Sequence, residues 1–220
     1  MAAVEAGAHR LELCVALHTG GLTPPLDLLA TVRAAVRVPV FAMARPQAGS
    51  FAVSPAVHAA TLRDVEALVA HGADGVVVGF LSPSGEVDVA ATRLAVTAAD
   101  GRPVTFHRAF DETPDLQASL DALEEVGVAR VLTGGGAGAA RDHADTLAAL
   151  IGAATTTGIL VGGRVRGDHV AHLVAYTGAG EVHARAAGVA GVCRALGGPN
   201  ASRQDRPPGD VPGVGRRPGS

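Results

Sequence analysis

Residues 70–78 read Ala-His-Gly-Ala-Asp-Gly-Val-Val-Val, and this pattern decides the fold. A glycine at this position typically ends a helix in the left-handed conformation, and the apolar run after it is typical of a buried strand. The same arrangement returns around Gly7, Gly127 and Gly178, and three more short apolar strands with Pro or Gly at their mouths lie between these copies. Strands are therefore predicted to begin near residues 10, 38, 75, 103, 129, 159 and 181.

Amphipathic segments separate most of these strands, with apolar residues at steps of three and four: Leu26–Val36, Ser54–His71, Asp88–Ala99, Asp115–Val126 and His143–Ala154. Strands that alternate with helices are parallel and joined by crossovers. Seven such units fit an α/β barrel of the TIM (β/α)₈ type or an open, doubly wound sheet. The barrel is favoured because no G-x-G-x-x-G follows the first strand and no long second domain exists.

The two ends of the chain differ from a complete barrel. Residues 2–6 look like the tail of a helix with no strand before them, so we expect the first barrel strand to be absent and residues 1–196 to form an incomplete barrel domain. Two unpaired sheet edges would make such a domain marginally stable or prone to aggregation. Residues 197–220 are expected to be a disordered tail, because eleven of these 24 residues are Gly or Pro.

Composition excludes several classes of function. The chain is 48% hydrophobic and 18% charged with a net charge of −3, which excludes wholesale disorder and a basic nucleic-acid surface. All eighteen basic residues are Arg, so Schiff-base chemistry and a P-loop lysine are excluded. Two cysteines cannot form a disulfide framework, and no apolar run is long enough to span a membrane. A cytoplasmic protein without membrane or nucleic-acid partners is expected.

Polar residues at the ends of the predicted strands are the candidates for a site, since barrel active sites lie at the carboxyl ends of the strands. The richest stretch is Thr105–Asp111. Within it, His107 offers a proton carrier, Arg108 an anion ligand and Asp111 an orienting carboxylate. Ionisable side chains that end three other strands are expected at the same rim: Glu12, Arg45 and His183.

Several of these residues also have a structural interpretation, and Arg45, which is followed by Pro46, fits a surface turn. His107 fits a buried core histidine, Asp111 fits a helix cap, and Glu12 fits a core carboxylate. Two glycine runs, Gly134–Gly136 and Gly162–Gly163, follow the fifth and sixth strands; they fit anion-binding nests or simple turns.

A metal site is the rival use of the same rim. Cys14, Met43, His107 and His183 are the available soft or borderline ligands, and a thiolate with a thioether suits Cu(I). No clustered C-x-x-C or H-x-x-x-H spacing is present, and Cys14 on an apolar strand also fits a core cysteine.

Several stretches together carry a family resemblance: Arg10–Cys14, Gly20–Pro24, Ala44–Pro46, Val104–Asp111, Arg130–Thr133 and Glu181–His183. In this order and at these intervals, over about residues 4–184, the chain resembles the CutC copper homeostasis family. The resemblance implies a TIM barrel, a cytoplasmic setting, a role in copper handling and an enzyme-like polar pocket without an assigned reaction. It places the family's polar positions on Glu12, Arg45, His107, Arg108, Asp111 and His183, and a cysteine on Cys14.

The chain departs from the family pattern at four places. The first strand, which carries further cysteines in relatives, is missing, so a multi-thiolate copper site is not expected. Thr133 precedes Gly134 where relatives tend to have Ser-Gly, and Gly162-Gly163-Arg164 replaces a Gly-Ala-Gly type loop. After His183 the match fades, and the Gly/Pro tail is expected in place of a C-terminal helix.

Three functions follow as expectations. The resemblance implies copper homeostasis with Cu(I) bound at Cys14, and a homo-oligomer is one way to complete the ligand set. The ring of ionisable groups indicates an enzyme of lyase or isomerase type, without a Schiff base, acting on a small anionic metabolite. A non-catalytic scaffold that binds partners would instead keep these groups apart and paired with neighbours.

Overall fold

The computed structural model describes residues 1–198; the predicted tail therefore lies almost entirely outside the described residues. The chain alternates short strands with longer helices. The strands are β1 (Leu11–Leu13), β2 (Val40–Met43), β3 (Gly75–Val78), β4 (Val104–Phe106), β5 (Arg130–Thr133), β6 (Gly158–Val161) and β7 (Glu181–Val182). The helices are α1 (Ala2–Glu5), α2 (Leu26–Ala35), α3 (Pro55–Ala70), α4 (Val89–Ala98), α5 (Leu116–Glu125), α6 (Ala144–Ala153), α7 (Val170–Thr177) and α8 (Val189–Ala195).

All seven strands are parallel and form one sheet in the order β1-β2-β3-β4-β5-β6-β7. An order that follows the chain is that of a barrel and contradicts the doubly wound alternative, in which the order reverses. The sheet curls without closing, since β1 and β7 are not paired with each other among residues 1–198. The result is a TIM-like half-barrel of seven strands.

The predicted strands agree with the structure, but the helix predictions were incomplete. Only the end of the helix between β6 and β7 was predicted, at Gly178, which caps α7. No helix was predicted after His183, where α8 lies. The expectation that no helix follows His183 was wrong, because Val192 of α8 is buried in the core and Ala195 packs against the same cluster. No helix within residues 1–198 is long and apolar enough to cross a bilayer.

The core lies mainly between the outer face of the sheet and the helices. Leu29, Val65 and Leu68 of α2 and α3 pack on one half of the sheet, and Leu120 and Leu147 of α5 and α6 pack on the other. The inner face carries a smaller apolar cluster of Phe41, Met43 and Val77, with Cys14 packed against it. Polar side chains occupy much of the remaining inner face, and they form the candidate site.

Candidate active site at the barrel mouth

Strand alternation decides which polar side chains face the inside of the half-barrel. Residues two apart on a strand share a face, so Glu12 and Cys14 lie on the inner face with the Phe41–Met43 cluster. On β4, Thr105 pairs in register with the inward Val77, and His107 continues the same face. The inner face therefore carries acid, imidazole and thiol groups at its carboxyl end.

Glu12 and His183 meet across the open side of the sheet. Nδ1 of His183 lies 3.3 Å from Oε2 of Glu12, although the two residues are 171 positions apart in the chain. The Glu12 side chain is 11% exposed, and its Oε1 is buried without a hydrogen-bond partner among residues 1–198. A buried carboxylate oxygen with no partner is costly and is typical of sites that receive a ligand or a proton.

His107 is buried at the end of β4 and is held in one tautomer. Its Nδ1 accepts a hydrogen bond from the Ala109 amide at 3.1 Å, so the neutral ring carries its proton on Nε2. The ring lies against the bare backbone of Gly79, where a Cβ would come within 2.2 Å of the ring. Burial, and secondly the charge of Arg45, lower the pKa of His107 to about 3. His107 is therefore a neutral hydrogen-bond donor at physiological pH.

The depressed pKa of His107 predicts a pH dependence of stability. The unfolded protein binds a proton on this residue below about pH 6.5, whereas the folded protein does so only near pH 3. We therefore expect the free energy of unfolding to fall by up to about 1.4 kcal/mol per pH unit, because of this residue, as pH falls through this window. Urea unfolding from pH 7 down to pH 4 measures the slope. His107→Gln should flatten it, whereas His71→Gln, a change of an exposed histidine, should not; equal slopes in all three proteins would contradict the prediction.

Arg45 fastens the loops that surround His107. Its guanidinium donates to the carbonyl oxygens of Thr19 at 3.0 Å, Gly21 at 3.2 Å and Gly49 at 2.9 Å. It also lies over the Phe51 ring, 4.9 Å from the centroid. Arg45 thus fixes the loops after β1 and β2 to each other while it places a positive charge at the mouth.

The carboxylate of Asp111 lies in the loop formed by Gly134–Gly136, the first glycine loop. Its buried carboxylate accepts hydrogen bonds from the Thr133 hydroxyl at 2.5 Å and from the amides of Gly134 at 3.1 Å and Gly136 at 3.2 Å. Nε of Arg108 donates to the same carboxylate at 2.5 Å. The nest expected at Gly134–Gly136 therefore exists, but the chain's own carboxylate fills it.

Arg108 lies between the two glycine loops. Its Nη2 donates to the carbonyl oxygens of Gly136 at 3.2 Å and Gly138 at 3.4 Å. Nη1 lies on the side of Gly163, 3.4 Å from where a Cβ there would be, and 37% of the side chain remains exposed. Its guanidinium is anchored at the rim and still reaches solvent.

Cys14 and Met43 lie side by side next to Gly21. A Cβ at Gly21 would be 3.1 Å from Cys14 Sγ and 3.3 Å from the Met43 methyl carbon. Burial, and secondly the charge of Glu12, raise the pKa of the Cys14 thiol. Within the described part of the chain, no three His, Cys, Asp or Glu side chains are close enough to share a metal ion. Cys14, His107 and His183 therefore do not converge on one ion within residues 1–198.

Two residues that were not predicted as part of the site, Gly79 and Thr133, complete the environment of His107 and Asp111; Thr133 was noted only as a departure from the family pattern. Thr133 ends an apolar strand with a hydroxyl, and Gly79 follows three valines directly, so both have the position in sequence that marks a barrel rim. The residues next to Gly79 and Thr133 in the sequence do not indicate which side chain each of them contacts in the fold.

The sequence of this chain is similar to those of known proteins that share one family. The sequence profile of the CutC family matches residues 1–188. The chain belongs to the CutC family. CutC proteins of Xylella fastidiosa are 42% identical to it over 190 residues, which is 86% of this chain and 71% of theirs. CutC of Caulobacter vibrioides is 41% identical over 183 residues, covering 83% and 74% of the two chains.

Solved structures agree with the fold. The crystal structure of CutC from Streptococcus agalactiae, named for copper homeostasis, superimposes with a TM-score of 0.77 at 28% identity and covers 81% of this chain and 89% of that one. A dihydrodipicolinate synthase from Bacillus anthracis gives a TM-score of 0.61 at 16% identity, which shows the TIM-like fold alone.

Proposed function

We propose that this CutC-family chain is an acid–base enzyme of isomerase or lyase type that acts on a small anionic metabolite. The observation that carries the proposal is the Glu12–His183 pair, with one buried Glu12 oxygen left without a partner. Such a carboxylate is suited to remove a proton from bound substrate, and the imidazole of His183 beside it holds the carboxylate in place. Cys14 and Cys193 are both free thiols. Free thiols are typical of a reducing compartment, which supports a cytoplasmic setting.

The other residues of the mouth have complementary roles in this proposal. Glu12 takes a proton from the carbon next to a substrate carbonyl, and the electron pair of that C–H bond moves onto the carbonyl oxygen. The neutral His107 donates a hydrogen bond from Nε2 to that oxygen. A neutral imidazole can stabilise a developing oxyanion in this way. Arg45 and Arg108 attract the anionic group. Where the deprotonated carbon carries a hydroxyl group, that hydroxyl passes its proton to the enolate oxygen and becomes the new carbonyl. Return of the first proton from Glu12 to the former carbonyl carbon then completes an isomerisation.

A screen of small carboxylates and phosphates by thermal shift tests this proposal. We expect a keto or hydroxy acid to raise the melting temperature of the wild type and to lose most of that effect in His107→Ala. With such a ligand in D₂O, Glu12→Gln should slow exchange of the substrate C–H by 10²- to 10⁴-fold, the usual contribution of a general base. His71→Ala is the matched control and should behave as wild type. Stabilisation that persists in His107→Ala, or exchange unaffected by Glu12→Gln, would contradict the assigned roles.

Copper binding is the second candidate, and the position of Cys14 and Met43 beside the same glycine, Gly21, favours it. A thiolate with a thioether is a soft ligand pair that suits Cu(I) at low coordination number. The raised pKa of Cys14 opposes this use, because the thiol must lose its proton to bind metal. The pair therefore supports a weak site, to which a second copy of the chain would have to add ligands.

Titration with Cu(I) against a competing chelator tests this second candidate. We expect Cys14→Ser to weaken binding at least tenfold and Met43→Leu to weaken it less. Cys193→Ser is the matched control, since Cys193 lies in α8, away from the mouth, and should leave the affinity unchanged. Equal Cu(I) affinities in the wild type and Cys14→Ser would show that Cys14 is not a copper ligand.

A further inference from the structure

A second cluster of charged groups lies inside the half-barrel, toward the amino ends of the strands. Arg10 precedes β1, Arg130 begins β5 and Glu181 begins β7. Oε2 of Glu181 lies 2.9 Å from Arg10 Nη2 and 2.9 Å from Arg130 Nε. The two guanidiniums also lie over the Phe41 ring, 5.3 and 5.6 Å from its centroid. This interior cluster is separate from the residues assigned above to the mouth.

The interior cluster has an excess of positive charge. Burial alone would raise the pKa of Glu181, but the hydrogen bond and charge of Arg10 and the charge of Arg130 outweigh it and lower that pKa. Glu181 is therefore ionised at neutral pH, and one carboxylate faces two guanidiniums. Glu12, the other acid of the inner face, already pairs with His183.

Two buried hydrogen-bond donors, one in the interior cluster and one on the strand beside it, have no hydrogen-bond partner in the described part of the chain. Arg130 Nη1 and the Thr105 hydroxyl make no hydrogen bond among residues 1–198, and Arg130 Nε is not aligned for one despite its short distance to Glu181. Thr105 is fully buried and is paired in register with Arg130 on the neighbouring strand. Buried donors are almost always satisfied in folded proteins, and leaving one unsatisfied costs about 1–3 kcal/mol.

We propose that Arg130 and Thr105 bind a small carboxylate inside the half-barrel. One carboxylate oxygen accepts from Arg130 Nη1 and the other from the Thr105 hydroxyl, which satisfies both donors and balances the excess positive charge. The Phe41 ring forms the floor on which both guanidiniums rest. Because both donors are buried, the ligand enters only when neighbouring side chains on the open side of the sheet move. This site takes an anion independently of whether the mouth is catalytic.

Ligand-observed fluorine NMR with trifluoroacetate, a small carboxylate, tests the proposal on the full chain. We expect line broadening with the wild type, at least tenfold weaker binding in Arg130→Met, and weaker binding in Thr105→Val, which keeps the shape and removes only the hydroxyl. Arg102→Met removes an exposed arginine outside the cluster and should not change the affinity. Arg45→Met, which alters the mouth, should also leave this binding in place.

Each other outcome decides against the interior site. Binding lost in Arg45→Met but kept in Arg130→Met would place the anion at the mouth, and equal loss in Arg102→Met would show non-specific attraction. If Arg130→Met fails to fold, a crystal of the wild type soaked in selenate gives an independent answer through the anomalous signal of selenium. Selenium between Arg130 and Thr105 supports an oxyanion site, whereas water alone at these donors overturns it.

Discussion

Asp111→Ala is expected to lower the melting temperature by roughly 6–12 °C. The substitution removes the acceptor of two glycine amides, a threonine hydroxyl and an arginine at once. Removing one partner from such a buried, charged network costs about 3 kcal/mol, and 1 kcal/mol corresponds to about 2–4 °C in a domain of this size. The loss should be larger than for an ordinary surface aspartate because the Asp111 side chain is only 4% exposed.

Two variants separate the loop contacts from a general effect of charge. Asp111→Asn keeps the shape and one oxygen acceptor, so it should recover part of the stability. Asp121→Ala removes an exposed aspartate that, among residues 1–198, accepts a side-chain hydrogen bond from Gln117 alone, and it should change the melting temperature little. Hydrogen exchange at the Gly134 and Gly136 amides should accelerate in Asp111→Ala alone. Unchanged exchange there would show that Asp111 does not hold this loop.

Local signals were sufficient for the strands and most helices of this fold. Gly72 and Gly178 both adopt positive φ at helix ends, as the repeated pattern predicted, because only glycine enters that conformation without strain. Short strands follow at once: Val76 and Val78 of β3 are buried on the outer face, and Val182 of β7 is partly buried there. Strand order then follows from the rule that consecutive parallel units lie next to each other in a barrel.

The site could be predicted only in part, because its pairings are long-range. Glu12, His107 and His183 were expected at the rim from their positions on strands, but nothing local indicates that Glu12 faces His183 across 171 residues. Asp111 lies three residues after Arg108, and its sequence context fits a helix cap as well as a loop anchor. Arg130 begins an apolar strand, and its inward direction becomes visible only once the register with Thr105 is known.

The outer edges of β1 and β7 determine the last expectation. Among residues 1–198 neither edge has a strand partner. The Leu11 amide donates to Pro39 and the His183 amide donates to Val161, so strand alternation turns the N–H and C=O groups of Glu12 and Val182 away from their neighbours. Side chains bridge the open side through the Arg10–Glu181 and Glu12–His183 pairs, but side-chain pairs do not satisfy a row of backbone groups.

We therefore expect the chain of residues 1–220 to self-associate through these edges, since an unpaired strand edge is a template for another strand. Light scattering after size exclusion should give a mass that rises with protein concentration, and the Glu12 and Val182 amides should become protected from hydrogen exchange as it rises. Val182→Pro removes one outward donor and should reduce the association, whereas the isosteric Val182→Thr keeps the amide and should not. The unpaired edges also withhold strand contacts from a domain whose net stability is about 5–15 kcal/mol, so a strand supplied by an added segment should raise the melting temperature. A chain that stays monomeric at every concentration and melts cooperatively would contradict this expectation, because the open edges would then be satisfied by water alone.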